Sequence, residues 1–449
     1  MESNRVEMHQ PFPAASLLDN LTFNIVYILP YYLQGIFTKN KWWVSIWTAI
    51  HPDYAAVKFI QHLRFKYRTR YIYIYMLGNR SLLVLDPQGI RRVLDNSPAI
   101  YAEPELKRRG MSHFQPDAVT ISHGTEWKDR RRFNEAVLES SRPIHSCADQ
   151  FLSVIRKEVE SMVERAGSRL CWADFDRLFK AVTLQIIFGR HAKSDAGLTS
   201  RLEQMMRESN RVFLLGKSRV FDSFYARIRT VLADPEKESL SFQCRHAPST
   251  PATKIEHQIP HWMFAMMETL ATNTVRTLAL IIAHPQAESR VRSELRDQPV
   301  LSPPVIDSFR YLEGCLQEGM RLWPTTPLLV RKTLDEDVLG NGRIPAKTQV
   351  LIMNGFNHRD WETVSFADKF NPEFWLKRDA DYRFNHLSNG VQICAGKHLA
   401  LFIGKAVLAA LLLTGRYRLN RPGLNPNRPI PYAYNEFQVE FENITGRYL

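Results

Sequence analysis

The period of the apolar positions changes several times along the chain. Over residues 53 to 70, Ala56, Phe59, Ile60 and Leu63 recur at three- and four-residue spacing, which predicts an amphipathic helix. YIYIYML (71 to 77) and LLVLD (82 to 86) flank a Gly-Asn turn and predict a β-hairpin. GIRRVLDN (89 to 96) reads as a short helix, residues 100 to 125 as a loop, and 126 to 215 as predominantly helical. RHAPSTPATKIEHQIP (245 to 260) is polar and punctuated by Pro, so it predicts a connector. HWMFAMMETLATNTVRTLALIIAH (261 to 284) is apolar almost all round and predicts one long interior helix ending before Pro285. Helices follow over about 286 to 296 and 305 to 322, then short strands at LLVRKT and QVLIMN. The few strands sit together, so the pattern predicts a mainly α domain with small β-sheets.

Composition narrows this picture. The chain has 449 residues, 45% apolar and 11% aromatic, which excludes a disordered protein and allows one large core or several domains. The net charge of +13 fits an anionic membrane or an acidic protein partner. The basic residues are scattered, with no Lys/Arg-rich arm, so nucleic acid is not the expected partner. Five cysteines at wide spacing, with no C-x-x-C pair, do not make a disulfide framework and favour a reducing compartment.

The N-terminus carries a further signal. LTFNIVYILPYYLQGIFT (21 to 38) has no charge and a length close to that of a marginal membrane span, followed by Lys39, Lys41, Trp42 and Trp43. This predicts a membrane-associating segment over residues 1–38, spanning or lying in the interface. No basic leader or small-residue cleavage site marks it as a signal peptide.

Two stretches carry candidate chemistry. In HLSNGVQICAGKHLALFIGKAVLAALL, Cys394 lies in a loop of small and polar residues directly before a long apolar helix. Taken alone it fits a buried inert thiol, a metal-binding thiol or a cofactor ligand. Zinc is poorly served, because only His386 and His398 accompany it where four ligands are needed. In LQEGMRLWP, Glu318 and Arg321 are three apart and share a helix face, which fits an ion pair.

Taken in order, Glu318-x-x-Arg321, then FNPEFW (370 to 375), then Gly390-x-x-x-Cys394-x-Gly396 with Leu-Ala following, this sequence resembles the heme-thiolate cytochromes of the P-450 superfamily. Trp127 and Arg131 in EWKDRRRF match the W-x-x-x-R of that family. Glu268-Thr269, counted back from His284-Pro285, fall on its acid–alcohol pair, and Arg331 matches a basic residue facing a heme propionate. The resemblance implies the cytochrome P-450 fold, with residues 39–449 as the catalytic domain, and heme b with Cys394 as axial thiolate. It implies Trp127, Arg131 and Arg331 at the propionates, Glu318 and Arg321 as scaffold beneath the heme, and Glu268 and Thr269 in oxygen activation. Leu328 to Val330 are expected along the substrate pocket. The small size of Gly390 and Gly396 permits a tight turn and close approach of a porphyrin, and the helix from Lys397 presents its positive end to the sulfur.

The implied activity is monooxygenation of a hydrophobic small molecule, with dioxygen and electrons from an NADPH-dependent flavin reductase docking on the outward members of the basic run Lys128, Arg130, Arg131 and Arg132. A location at the endoplasmic reticulum membrane, with the catalytic domain facing the cytoplasm, goes with that activity. The chain departs from the family pattern in four places, the last of them holding two residues. Leu387 stands for Phe, Gln392 for Arg, Phe374 for the Arg that locks onto Glu318–Arg321, and Met266 and Leu270 replace a Gly and a Thr in the central helix. These departures fit a divergent, fungal-type branch in secondary-metabolite biosynthesis. They leave open a heme-thiolate isomerase, dehydratase or coupling enzyme, and a derivative that has lost heme.

Overall fold

In the computed structural model, which describes residues 11–211, 216–296, 298, 300–377 and 381–445, the hairpin forms from Tyr71–Met76 and Asn79–Val84, with Tyr71 opposite Val84. Its turn is Leu77-Gly78, with both residues at positive φ. The hairpin extends into a five-stranded sheet through Gln349–Ile352, Leu329–Thr333 and Tyr101–Ala102, in that spatial order. Only the junction between Asn79–Val84 and Gln349–Ile352 is parallel. A separate sheet places Arg169–Cys171 and Tyr417–Arg421 on either side of Glu440–Asn443.

Helices supply most of the mass. The expected 53–70 helix runs over Pro52–Tyr67 and buries Ala56, Val57, Ile60 and Leu63. The expected 100–125 loop instead contains a strand at Tyr101–Ala102, a helix at Glu105–Ser112 and a 3-10 turn at Val119–Ile121. These are short pieces held by tertiary contacts, below the length at which periodicity is visible. The 245–260 connector is also shorter than expected. Ile255 already begins the central helix, which passes through Pro260 and continues to Ala283. Pro260 is tolerated because it stands only six residues in, where little of the preceding hydrogen-bond ladder exists to be broken. Of the expected helical span 126–215, positions 212–215 lie outside the described residues.

The central helix is buried on nearly every side, with Met263, Ala271, Val275, Leu278 and Ile281 at the centre of the main core. Against it pack Arg310–Leu322, which carries Glu318 and Arg321, and Lys397–Thr414, which follows Cys394. Gly319 is required at the first contact, because a Cβ there would lie 2.5 Å from Thr277 Oγ1. Lys397–Thr414 is the one helix, among the described residues, long and apolar enough to cross a membrane. It is a core helix here, with Ile403, Ala406, Val407 and Leu411 fully buried.

The N-terminal segment lies along the first sheet. Leu17–Gln34 is helical, with a π-helical stretch at Asn24–Ile28, and its Phe23 and Ile28 join Ile60, Ile72 and Leu351 in a second core cluster. Its opposite face leaves Leu17, Leu18, Leu21, Ile25 and Leu29 exposed. Of the four flanking residues, Lys41 and Trp42 are exposed, whereas Lys39 lines a cavity.

Candidate active site

Cys394 sits between a 3-10 turn, Gly390–Gln392, and the N-terminus of Lys397–Thr414. Its N–H donates to the Leu387 carbonyl at 2.9 Å, and the Lys397 N–H donates to its carbonyl at 3.2 Å, which closes the loop around the sulfur. Three outside contacts fix the loop. Arg131 donates from Nη1 to the Ile393 carbonyl at 2.6 Å, and Ser140 Oγ donates to the Ala395 carbonyl at 2.6 Å. Gly390, at φ +66, presses on the backbone of Leu94, where a Cβ would come within 2.5 Å. Glycine at 390 is therefore required by this helix contact. Gly396 is different, since a Cβ there would only touch Leu138 at 3.7 Å.

Burial pushes the Cys394 thiol above its ordinary value, and the Gly396 N–H, Arg131 and Lys397 pull it down. Those three groups favour a charged sulfur, and without a metal's charge desolvation outweighs them. The residue nonetheless keeps part of its surface free. Gln392 Oε1, two residues before it, and Arg331 Nε are buried without a hydrogen-bond partner. A desolvated thiol beside its own N–H donor, with an unsatisfied guanidinium N–H, is a donor set that fits heme.

The expected propionate residues fall in different settings. Trp127 and Arg131 share the helix Gly124–Val137, with Trp127 buried and Arg131 also paired to Glu135 at 2.6 Å. Arg331 is buried and already meets a carboxylate, Glu103, at 3.0 Å. Lys107 joins the same carboxylate at 2.8 Å. Nothing in the residue order announced Glu103 or Lys107, because both lie in the stretch read as loop. Arg130 is no part of an outward basic face: it is buried on Asp117 and Ser122. Lys128 and Arg132 remain on the outside.

Glu318 and Arg321 are both fully buried. Arg321 grips both Glu318 oxygens at 2.7 Å and donates to the carbonyls of His358, Ala367 and Lys369 at 2.8, 3.0 and 2.9 Å. The position left vacant by Phe374 is served by its neighbour. Trp375 Nε1 donates to Glu318 Oε2 at 2.8 Å, while the Asn371 N–H takes Oε1 at 2.9 Å. The Trp375 ring also packs edge-on against His386 at 5.0 Å, one residue before Leu387. One indole thus ties the buried ion pair to the start of the cysteine loop. Trp375→Phe keeps the ring and removes the donor, so it is expected to lower stability by about 1.5–3 kcal/mol. The check is a shifted denaturant midpoint at unchanged slope.

Glu268 and Thr269 lie in a π-helical turn, Ala265–Leu270, within the central helix. Such turns carry an extra residue and widen the helix locally. This opening occurs where the sequence has Met266 in place of the expected glycine. Both side chains line a cavity of about 160 Å³ together with Thr325, Pro327, Phe356 and the N-terminal segment. Leu328, expected along a pocket, packs with Phe23, Val57 and Met353, the last two of which line this cavity.

Desolvation, helped by Glu203 and Asp176 and opposed by Lys180, raises the Glu268 carboxyl to about 7. Unfolded, this group releases its proton near the ordinary value of 4.5. Between the two values the folded state holds more protons, so stability falls as pH rises from about 4.5 to 7 and the loss is complete above that. The full cost is about 3 kcal/mol. Glu268→Gln is therefore expected to raise the melting temperature at pH 8 and to leave it nearly unchanged at pH 4. Equal shifts at both pH values would contradict a buried, proton-holding carboxyl.

Comparison with known proteins fits this geometry. A family model for cytochrome P-450 matches residues 246–430. Over 442 residues, covering 86% of this chain and 84% of the relative, the chain is 24% identical to cytochrome P-450 714C2 of Oryza sativa subsp. japonica. It is 28% identical over 247 residues, 50% of this chain and 45% of the relative, to the cytochrome P-450 monooxygenase sdnH of Sordaria araneosa. The retinoic acid-bound cyanobacterial CYP120A1 superposes with a TM-score of 0.69 at 16% identity, covering 86% of this chain and 94% of that structure.

Proposed function

Because the chain belongs to the cytochrome P-450 superfamily, whose members are heme-thiolate monooxygenases, we propose that it inserts oxygen into a hydrophobic small molecule in secondary-metabolite biosynthesis, in a divergent, fungal-type branch. The observation that carries this reading is the pairing of a desolvated cysteine loop with an acid and an alcohol in one widened turn of the central helix. Cys394 would hold the iron, and Trp127, Arg131 and Arg331 the propionates. Bound there, the heme supplies dioxygen activation, which the thiolate favours.

The protein's own residues do the rest. Glu268, at about 7, holds or releases a proton at neutral pH, in the range useful for proton transfer. Thr269 stands beside it in the cavity. Glu318, Arg321 and Trp375 keep the ground beneath the loop rigid. Electrons come from an NADPH-dependent flavin reductase that docks on Lys128 and Arg132. The exposed stripe Leu17, Leu18, Leu21, Ile25 and Leu29, with Trp42 beyond it, lies in the interface of the endoplasmic reticulum membrane with the catalytic domain facing the cytoplasm. Nucleic acid has no part in this reading.

Turnover of an apolar substrate panel under isotopically labelled dioxygen, with reductase and NADPH, tests the activity. Label in the product is the expected result. Conversion that continues without dioxygen or reductase would instead assign an isomerase, dehydratase or coupling enzyme.

A further inference from the structure

The cavity beside Glu268 and Thr269 is walled on its far side by the N-terminal segment, through Tyr27, Tyr31, Thr38 and Lys39. Its volume of about 160 Å³ is close to that of an engineered cavity of about 150 Å³ that holds one benzene. It therefore accommodates one end of a larger molecule. The wall is fixed in place. Asn210 Oδ1 accepts from the N–H groups of Ile36 and Phe37 at 2.9 Å each, and Asn210 Nδ2 donates to the Thr38 carbonyl at 2.9 Å. The Asn40 N–H donates to the Gln34 carbonyl at 2.8 Å. The backbone on both sides of Lys39 is thus held, and its side chain is delivered to the cavity.

Charged side chains on this surface are Lys39, Asp53, Glu268, Arg276 and Glu436. Arg276 and Glu436 are committed to each other at 2.9 Å, and Arg276 also donates to the Trp323 carbonyl at 2.9 Å. Glu268 holds its proton up to about 7. Asp53 lies in the first turn of Pro52–Tyr67, at the positive end of that helix. The charges that act on it are all cations: Lys39, Arg276, Arg359 and His51.

Lys39 feels Asp53 in turn, but only at long range. Its ammonium makes no ion pair among the described residues and lies 5.2 Å from the centre of the Tyr31 ring. Of the anions acting on it, Glu436 is already spent on Arg276, which itself repels Lys39, Glu268 holds its proton up to about 7, and Asp53 makes no ion pair with it. Burial lowers Lys39 to about 8, so at neutral pH it remains largely protonated. A partly buried ammonium with no anion at ion-pair distance among the described residues is costly, and the missing direct partner here is an acceptor with negative charge.

We propose that Lys39 anchors a carboxylate on the substrate, so that the molecule oxidised is an amphipathic acid whose apolar body meets Phe37, Phe264 and Phe356. This rests on the monooxygenase reading and specifies its substrate class.

The test compares dodecanoate, dodecanol and dodecylamine, three probes with one hydrocarbon chain and different head groups. Binding to the heme-loaded protein at pH 7 is read by calorimetry, with the heme absorption shift as a second signal. Dodecanoate is expected to bind at least tenfold more tightly than dodecanol. Lys39→Met should abolish that preference, Lys39→Arg should keep it, and Asp53→Asn should leave it in place. Thermal melts confirm that each variant is folded, and Lys39→Gln replaces Lys39→Met if the latter is not. Equal binding of acid and alcohol, or an acid preference that survives loss of the lysine charge, overturns the proposal. So does tightest binding of dodecylamine with dependence on Asp53. A wild-type protein lacking the heme-thiolate band with carbon monoxide would sink the monooxygenase reading itself, whereas a normal band without acid preference would sink only this assignment.

Discussion

Replacing Cys394 with serine is expected to remove the red-shifted absorption band of the reduced, carbon monoxide-treated protein, and with it all monooxygenase activity. The loop geometry depends little on the thiol. The Leu387 carbonyl, the Arg131 contact to the Ile393 carbonyl and the Ser140 contact to the Ala395 carbonyl all involve main-chain atoms. A serine therefore fits the same loop, and its hydroxyl is a far weaker anion than a thiolate. The variant should fold, melt close to the wild type and either lose heme or bind it with a shifted spectrum. Persistence of the thiolate band would remove Cys394 as the ligand. Cys315 and Cys244 serve as controls, since both are buried thiols pushed well up by desolvation with no donor set around them, and their serine variants should retain the band.

The largest effect on stability is expected at Arg321. Arg321→Met leaves the Glu318 carboxylate fully buried with only the Asn371 N–H and the Trp375 indole as partners. It also strands the carbonyls of His358, Ala367 and Lys369. Breaking one side of a buried pair costs about 3–5 kcal/mol, and each stranded acceptor adds about 1–3 kcal/mol. A typical domain has a stability of about 5–15 kcal/mol, so most of the protein should be insoluble or unfolded. Removing both charges together, with Glu318→Gln added, should cost less than the sum of the two single changes, because no bare carboxylate then remains. A soluble Arg321→Met protein with a wild-type melt would show that the pair does not hold this region together.

The sequence made part of this legible for definite reasons. The central helix was readable because its apolar residues run far longer than any strand, though its first turn was hidden by Pro260 and polar neighbours. The hairpin was readable from alternation and a glycine turn. Glu105–Ser112 was not, since eight mostly polar residues carry no period that separates helix from loop. Among site residues, Cys394, Glu318 and Arg321 stood out through order and spacing. Glu103 and Trp375 did not, because each acts through a partner far away in the chain.

The two kinds of information divide along that line. By itself the sequence determined what depends on neighbours along the chain: which segments are helical, where the thiol loop meets a helix, and which pairs share a helix face. Tertiary structure alone decided that Trp375 takes the place left by Phe374, that Glu103 already neutralises Arg331, and that Lys39 lines the cavity beside Glu268. These outcomes are set by desolvation, which depends on everything packed around a group in space and on nothing that its immediate neighbours in the chain can report.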